Sequence, residues 1–179
     1  KIMHMNSKIL SIAKNKLKKY LKDKEILDIL IFGSAIKGKD LPRDIDIAII
    51  TDKKINIEIP GFHISMLKPE DFFGNPPSLV HTLFREGYSL KSNKFLSQLY
   101  NFSNKIMFIY ELISLNPSTK VKVVNVLRGK NKEKGLVEKN SGEWFANRVF
   151  IVPIEQEYIF DKFFNNFKVK YRKFYILIH

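Results

Sequence analysis

Ile29-Leu-Ile-Phe-Gly-Ser-Ala-Ile-Lys-Gly-Lys-Asp-Leu-Pro-Arg-Asp-Ile-Asp-Ile-Ala-Ile-Ile-Thr51 is the stretch on which the reading of this 179-residue chain turns. An apolar run ends at Gly33-Ser34, nine residues intervene, and a second apolar run opens with Asp44 and Asp46. The pattern predicts two strands, Ile26 to Phe32 and Ile45 to Ile50, joined through a turn. Residues two apart on a strand share a face, so Asp44 and Asp46 are expected to point at one spot, with Ile45, Ile47 and Ile49 opposite. Gly33 removes the Cβ that would keep a phosphate from the backbone, and Ser34 adds a hydroxyl. Two converging carboxylates beside such a turn point to Mg²⁺ shared with a bound phosphate, because that ion takes hard oxygen ligands. Lys37, Lys39 and Arg43 stand nearby as cations that would neutralise a triphosphate.

Gly33-Ser34, the nine-residue gap and Asp44-x-Asp46 at the head of an apolar strand resemble the signature of the nucleotidyltransferase superfamily, the DNA polymerase beta-like and minimal nucleotidyltransferases. The resemblance is confined to the N-terminal half. It implies an α+β fold, a small mixed sheet with flanking helices. It also implies transfer of an NMP from an NTP to an acceptor hydroxyl. Asp44 and Asp46 would hold the Mg²⁺ cofactor, and Gly33 and Ser34 would grip the β and γ oxygens. The family further implies a third carboxylate from the third strand. Here that strand, Phe62 to Leu67, offers only His63 and Ser65 on the relevant face, and the nearest acids are Glu58, Glu70 and Asp71. Glu58 as a third ligand and His63 as a base compete for the remaining catalytic place, since an imidazole titrates near working pH.

Around this centre the pattern predicts an amphipathic helix from Ser7 to Lys22, capped by Asn6 or Ser7. A short helix after Pro69, a second from Ser78 to Glu86 stopped by Gly87, and an edge strand at Tyr88 to Leu90 complete a domain over residues 1–90. A second small α+β domain is expected over 91–179. It opens with a helix from Asn93 to Leu115, whose wide apolar stripe includes Phe95, Leu99, Phe102, Ile106 and Ile109. A helix from Thr119 to Leu127 follows, capped by Ser118. Arg148 to Val152, Pro153 to Phe167 and Val169 to Ile178 then read as strand, helix and strand.

The chain carries a formal charge of +13 and no cysteine, which excludes disulfides and thiolate metal sites. Residues 1–90 hold 15 Lys and Arg against 11 Asp and Glu, whereas residues 91–179 hold 16 against 7. The excess in the second half suggests a nucleic-acid acceptor, tRNA-like molecules included. Arg128, Lys130, Lys132 and Lys134 stand in an exposed loop that would clamp a phosphate backbone, and Trp144 would stack on a base. No apolar run approaches the ~18 residues of a membrane span and no signal-peptide pattern opens the chain, so the expectation is a cytoplasmic protein with no membrane partner. Other functions fit the same residues: a degenerate nucleotidyltransferase fold that only binds nucleic acid or protein, or an antitoxin-like enzyme that adenylylates a protein. A structural subunit that dimerises through the 93–115 stripe is a further alternative.

Overall fold

Apolar residues four apart build the first element. In the computed structural model, which describes residues 7–38, 42–74, 76–131 and 133–179, helix α1 (Ser7–Lys16) buries Ile9 and Ala13. Leu17, fully buried, marks a break before α2 (Lys18–Leu21). Asn6, Lys39 and Lys132 lie outside the described residues.

Strands β1 (Ile26–Phe32), β2 (Ile45–Thr51), β3 (Phe62–Leu67) and β4 (Tyr88–Ser89) form one sheet in the order β3-β2-β1-β4, with helix α3 (Ser78–Glu86) preceding β4. β2 runs parallel to β3, and the other pairs are antiparallel. The central strand is nearly all Ile and Ala because it is buried on both faces, as such continuous apolar runs require. On one face Leu30, Phe32, Ala48 and Ile50 pack with Val80 and Leu83 of α3. Asp46 belongs to that face by alternation and stands at the end of the sheet, opposite Phe32. The result is the small mixed sheet with flanking helices expected from the sequence.

Two compact units divide the chain: the first runs to Ser103 and takes in His179, and the second is Asn104–Ile178. The second contains β5 (Ser103–Glu111), α4 (Pro117–Arg128), α5 (Leu136–Lys139), β6 (Glu143–Ala146), β7 (Val149–Pro153), α6 (Glu157–Asn166) and β8 (Lys170–Ile178). Its sheet has the order β6-β7-β5-β8. This is the β-α-β-β-α-β, ferredoxin-like arrangement, with the first strand between the third and the last. Phe108, Phe150, Phe160 and Phe164 centre its core, all fully buried.

The helix expected from Asn93 to Leu115 does not form. A short 3-10 turn, Leu96–Tyr100, ends at Asn101 in the left-handed region (φ 61°), and β5 follows. Asn104, Ile106, Phe108 and Tyr110 are buried in strict alternation, a period of two that only a strand supplies. The helical seam for a second copy therefore does not exist. α4 is capped by Asn116, whose side chain accepts from Thr119 N at 2.8 Å, rather than by Ser118. The helix expected from Pro153 starts only at Glu157, after a 3-10 turn over Ile154–Gln156. Among the described residues no helix is long and apolar enough to cross a membrane.

A polar cluster ties β8 to α6. Lys173 bridges Asp161 (2.6 Å) and Glu157, while Tyr171 donates to Asp161 (2.8 Å) and Tyr175 to Glu157 (2.7 Å). Burial, then the bond to Asp161, pushes the Tyr171 hydroxyl up to about 12. Burial pulls Lys173 down, but its hydrogen bonds to Asp161 and Glu157 outweigh that and hold its ammonium well above the ordinary range. Both groups keep their protons longer in the folded state. The folded unit thus binds more protons above about pH 10 and loses stability as pH rises from there toward 12. The urea midpoint is expected to be lower at about pH 11 than at about pH 9, and Tyr171→Phe should remove part of that drop. Phe150→Ala should cost about 3–5 kcal/mol, read as a lower midpoint at neutral pH.

Candidate functional site

The antiparallel pairing of β1 and β2 sets Phe32 opposite Asp46, so the chain leaves β1 at Gly33 directly beside that carboxylate. Gly33 has φ +71°, and a Cβ built on it would lie 2.4 Å from Asp46 Oδ2. Glycine is needed twice here, for the backbone and for the acid. A single 3-10 turn over Gly33–Ala35 follows, closed by Ile36 N donating to Gly33 O at 3.1 Å. Buried Ala35 and Ile36 anchor it and leave Ser34 half-buried. Asp44 stands exposed in the bend before β2, next to exposed Arg43. Ile45 N donates to Gly61 O at 3.0 Å and ties the head of β2 to the turn before β3.

The parallel register of β2 and β3 places His63 across from Asp46, with Nδ1 3.3 Å from Asp46 Oδ1. The imidazole is 72% exposed and the carboxylate 31%. Glu58 goes elsewhere. It accepts from Asn56 Nδ2 at 3.0 Å and lines a hollow with Ile57, Pro60, Phe62 and Ile64. Phe62 and Ile64 alternate with His63, so this hollow opens on the opposite face of β3. Among the described His, Asp and Glu residues no group of three could hold a metal ion. Asp44 and Asp46 are oxygen donors of the kind that Mg²⁺ takes when phosphate and water complete its shell. They do not fit an ion caged by the protein alone.

Lys37 pairs with Glu86 at 3.0 Å, and the Glu86 side chain is only 3% exposed. Glu86 closes α3, the end at which the helix dipole disfavours an acid. Its burial there beside Lys37 and Arg85 marks it as the anchor of the connection after the Gly33 turn. Sequence reasoning missed it. The available signal was a carboxylate in the last helical turn, just before Gly87.

Residues 15–94 match the family model described as Polymerase beta, Nucleotidyltransferase. That match lies within the N-terminal half and covers 80 of the 179 residues. No curated protein matches the chain significantly, and neither does any solved structure. The nucleotidyltransferase match spans the Gly33 turn, Asp44, Asp46, Glu58 and His63 and ends before the second unit.

Arg128, Lys130 and Lys134 of the second unit are exposed, as the sequence predicts, and two of them also have partners within the fold. The Arg128 guanidinium lies 3.9 Å from the centroid of the Trp144 ring, which also packs edge-on against Phe150. One face of Trp144 is thereby covered. Lys130 and Lys134 border a hollow with Asn125, Glu133 and Lys139, and Lys134 pairs with Glu138 at 3.1 Å. A Cβ on Gly129 would fall 1.9 Å from Glu133 O, and one on Gly135 2.2 Å from Leu127 O, so the backbone passes close to itself at the two glycines.

Gly33→Ala should destabilise the protein by about 1–3 kcal/mol through backbone strain. It should also displace Asp46 from His63. The expected readout is a lower Tm together with moved imidazole resonances of His63; unchanged resonances would show that Asp46 does not depend on Gly33.

Proposed function

We propose that the N-terminal domain is a Mg²⁺-dependent nucleotidyltransferase that moves an NMP from an NTP to an acceptor hydroxyl, with nucleic acid as the acceptor class. The observation that carries this reading is the Asp46 carboxylate seated over Gly33, in a domain whose sequence matches the nucleotidyltransferase family. Gly33 and Ser34 would receive the β and γ oxygens of the triphosphate. Asp44 and Asp46 would hold Mg²⁺, which when bound supplies charge neutralisation for the departing pyrophosphate. The acceptor oxygen forms a bond to the α-phosphorus as the bond to the β-phosphate bridge breaks. His63, in contact with Asp46, is placed to take up the proton of the acceptor hydroxyl. Arg43 stands exposed in the bend beside Asp44, where it can meet phosphate charge. Such chemistry is mostly positioning and charge neutralisation, so few side chains suffice.

A second reading has its own support. His63 occupies the place opposite Asp46, and Glu58 faces away from it. Both facts favour a fold that kept phosphate binding and lost turnover.

One experiment separates the two. The protein is incubated with each α-labelled NTP, Mg²⁺ and a cellular RNA pool, with Asp44→Ala/Asp46→Ala as the control. Label on RNA that the double variant abolishes is the expected outcome. Mg²⁺-dependent NTP binding without transfer would establish the binding module, and label on protein would replace the nucleic-acid acceptor. Wild-type NTP binding by the double variant would remove the nucleotidyltransferase reading altogether.

A further inference from the structure

The sheet of the second unit has two faces, and its helices cover one of them. Phe108, Phe150 and Tyr171 pack on Phe164 of α6, and Trp144 packs on Phe150, so each strand sends an aromatic ring to that side. Side chains alternate along a strand. The residues between these rings therefore point to the other face: Met107 of β5, Ile151 of β7, Phe145 of β6, and Lys170, Arg172 and Phe174 of β8.

Two features of that face are not explained by folding. Phe145 is 75% exposed and Phe174 44%, although large aromatics on a sheet normally find cover. Phe145 sits where the β6–β7 register slips by one: Trp144 pairs with Phe150, and Ala146 with Val149. Alternation from Trp144 already sends Phe145 to this face, and the slip leaves it with no residue paired across from it. The two rings stand on the two outer strands of the sheet, β6 and β8. Between those strands Met107, half-buried, pairs with Ile151, which is itself buried, across the β5–β7 ladder. Beside Phe174, Lys170 and Arg172 share a hollow with Ile109 and Glu111.

Charge narrows the choice of occupant. Residues 104–178 hold 14 Lys and Arg against 7 Asp and Glu. Three of those acids, Glu155, Glu157 and Asp161, are buried or half-buried, so the outer surface is more positive than the total. A second copy would bring the same excess against itself. Exposed rings on a sheet with cations at one side suit unstacked bases and their phosphates. The acids on the face, Glu111 and Glu143, can only accept hydrogen bonds. Ribose offers them a 2′-hydroxyl donor that deoxyribose lacks.

We infer that this open sheet face is a docking surface for single-stranded RNA, with Phe145 and Phe174 as stacking groups and Lys170 and Arg172 as phosphate contacts. It deepens the nucleic-acid acceptor reading proposed above and moves the contact from the lysine loop to the sheet. Binding needs neither nucleotide nor transfer, so it is measured apart from them.

The test is fluorescence anisotropy of the full chain with a labelled mixed-sequence RNA of about 12 nucleotides, without NTP or Mg²⁺. DNA of the same sequence and an RNA duplex serve as competitors. Phe145→Ala and Phe174→Ala should each weaken binding by about tenfold with little change in salt dependence. Arg172→Ala should lower the slope of log affinity against log salt by about 1. Lys130→Ala/Lys134→Ala should have the smaller effect, and single-stranded RNA should bind more tightly than either competitor. Absence of wild-type binding would overturn the inference, as would full affinity in the double phenylalanine variant. So would a larger loss from the lysine pair, or a competitor bound as tightly. Sedimentation of the same variants checks the other occupant: a fall in mass on removing the rings would make the face a self-association surface instead. Asp44→Ala/Asp46→Ala should bind RNA normally, which separates failure of this surface from failure of the nucleotidyltransferase site.

Discussion

The Asp46 carboxylate lies in the space that any side chain on residue 33 would fill, and the site depends on that one approach. The approach exists because Phe32 pairs with Asp46 across β1 and β2. A slip of one residue would turn Asp46 to the other face of the sheet. What prevents the slip is the core itself: Leu30, Phe32, Ala48 and Ile50 meet α3 only in this register. Packing and site are thus one specification. The residues that bury the sheet also deliver the acid to the glycine.

That part of the molecule was legible because its signals are local. A buried strand, a glycine and a second strand headed by two acids are read from neighbouring residues, and the turn between them needs no distant partner. The occupant of the position across from Asp46 was not legible, since the β2–β3 register is set by packing between segments. Glu58 is the nearer of the two in sequence, yet the parallel pairing brings His63 to Asp46 and leaves Glu58 on the far face of β3. The second unit was misread where two periods overlap. Phe95, Leu99, Phe102, Ile106 and Ile109 fit a helix, whereas Ile106, Phe108 and Tyr110 fit a strand. Asn101, in the left-handed region, breaks the first pattern and leaves the second to win. The strand β6 has four residues, too few to show a period at all.

Several of the cations that the sequence offers to a polyanion also have partners within the fold. Lys37 faces buried Glu86, Lys134 faces Glu138, and Arg128 lies on Trp144. Each was a natural partner for a polyanion in the sequence, and each has a partner within the fold. Exposed ion pairs of the Lys134–Glu138 kind contribute little to stability, but they still reduce the field that a phosphate would meet. Lys37 differs, because its acid is buried and would be left uncompensated without it. Its first role is to hold the segment after Gly33 against α3. Arg43 remains as an exposed cation next to Asp44.

In both units the informative side chain stands at a departure from regular strand geometry. In the first, the strand ends in a positive φ that only glycine adopts at little cost, and the vacated space takes a carboxylate. In the second, an extra residue in an edge strand leaves Phe145 with no residue paired across from it. Irregularity is cheap at those places: a turn has no ladder to break, and an edge strand has one side already unpaired. A regular β6 would have set Phe145, not Ala146, opposite Val149. Phe145 is left 75% exposed there, whereas Trp144, one residue earlier, packs on Phe150 and meets Arg128.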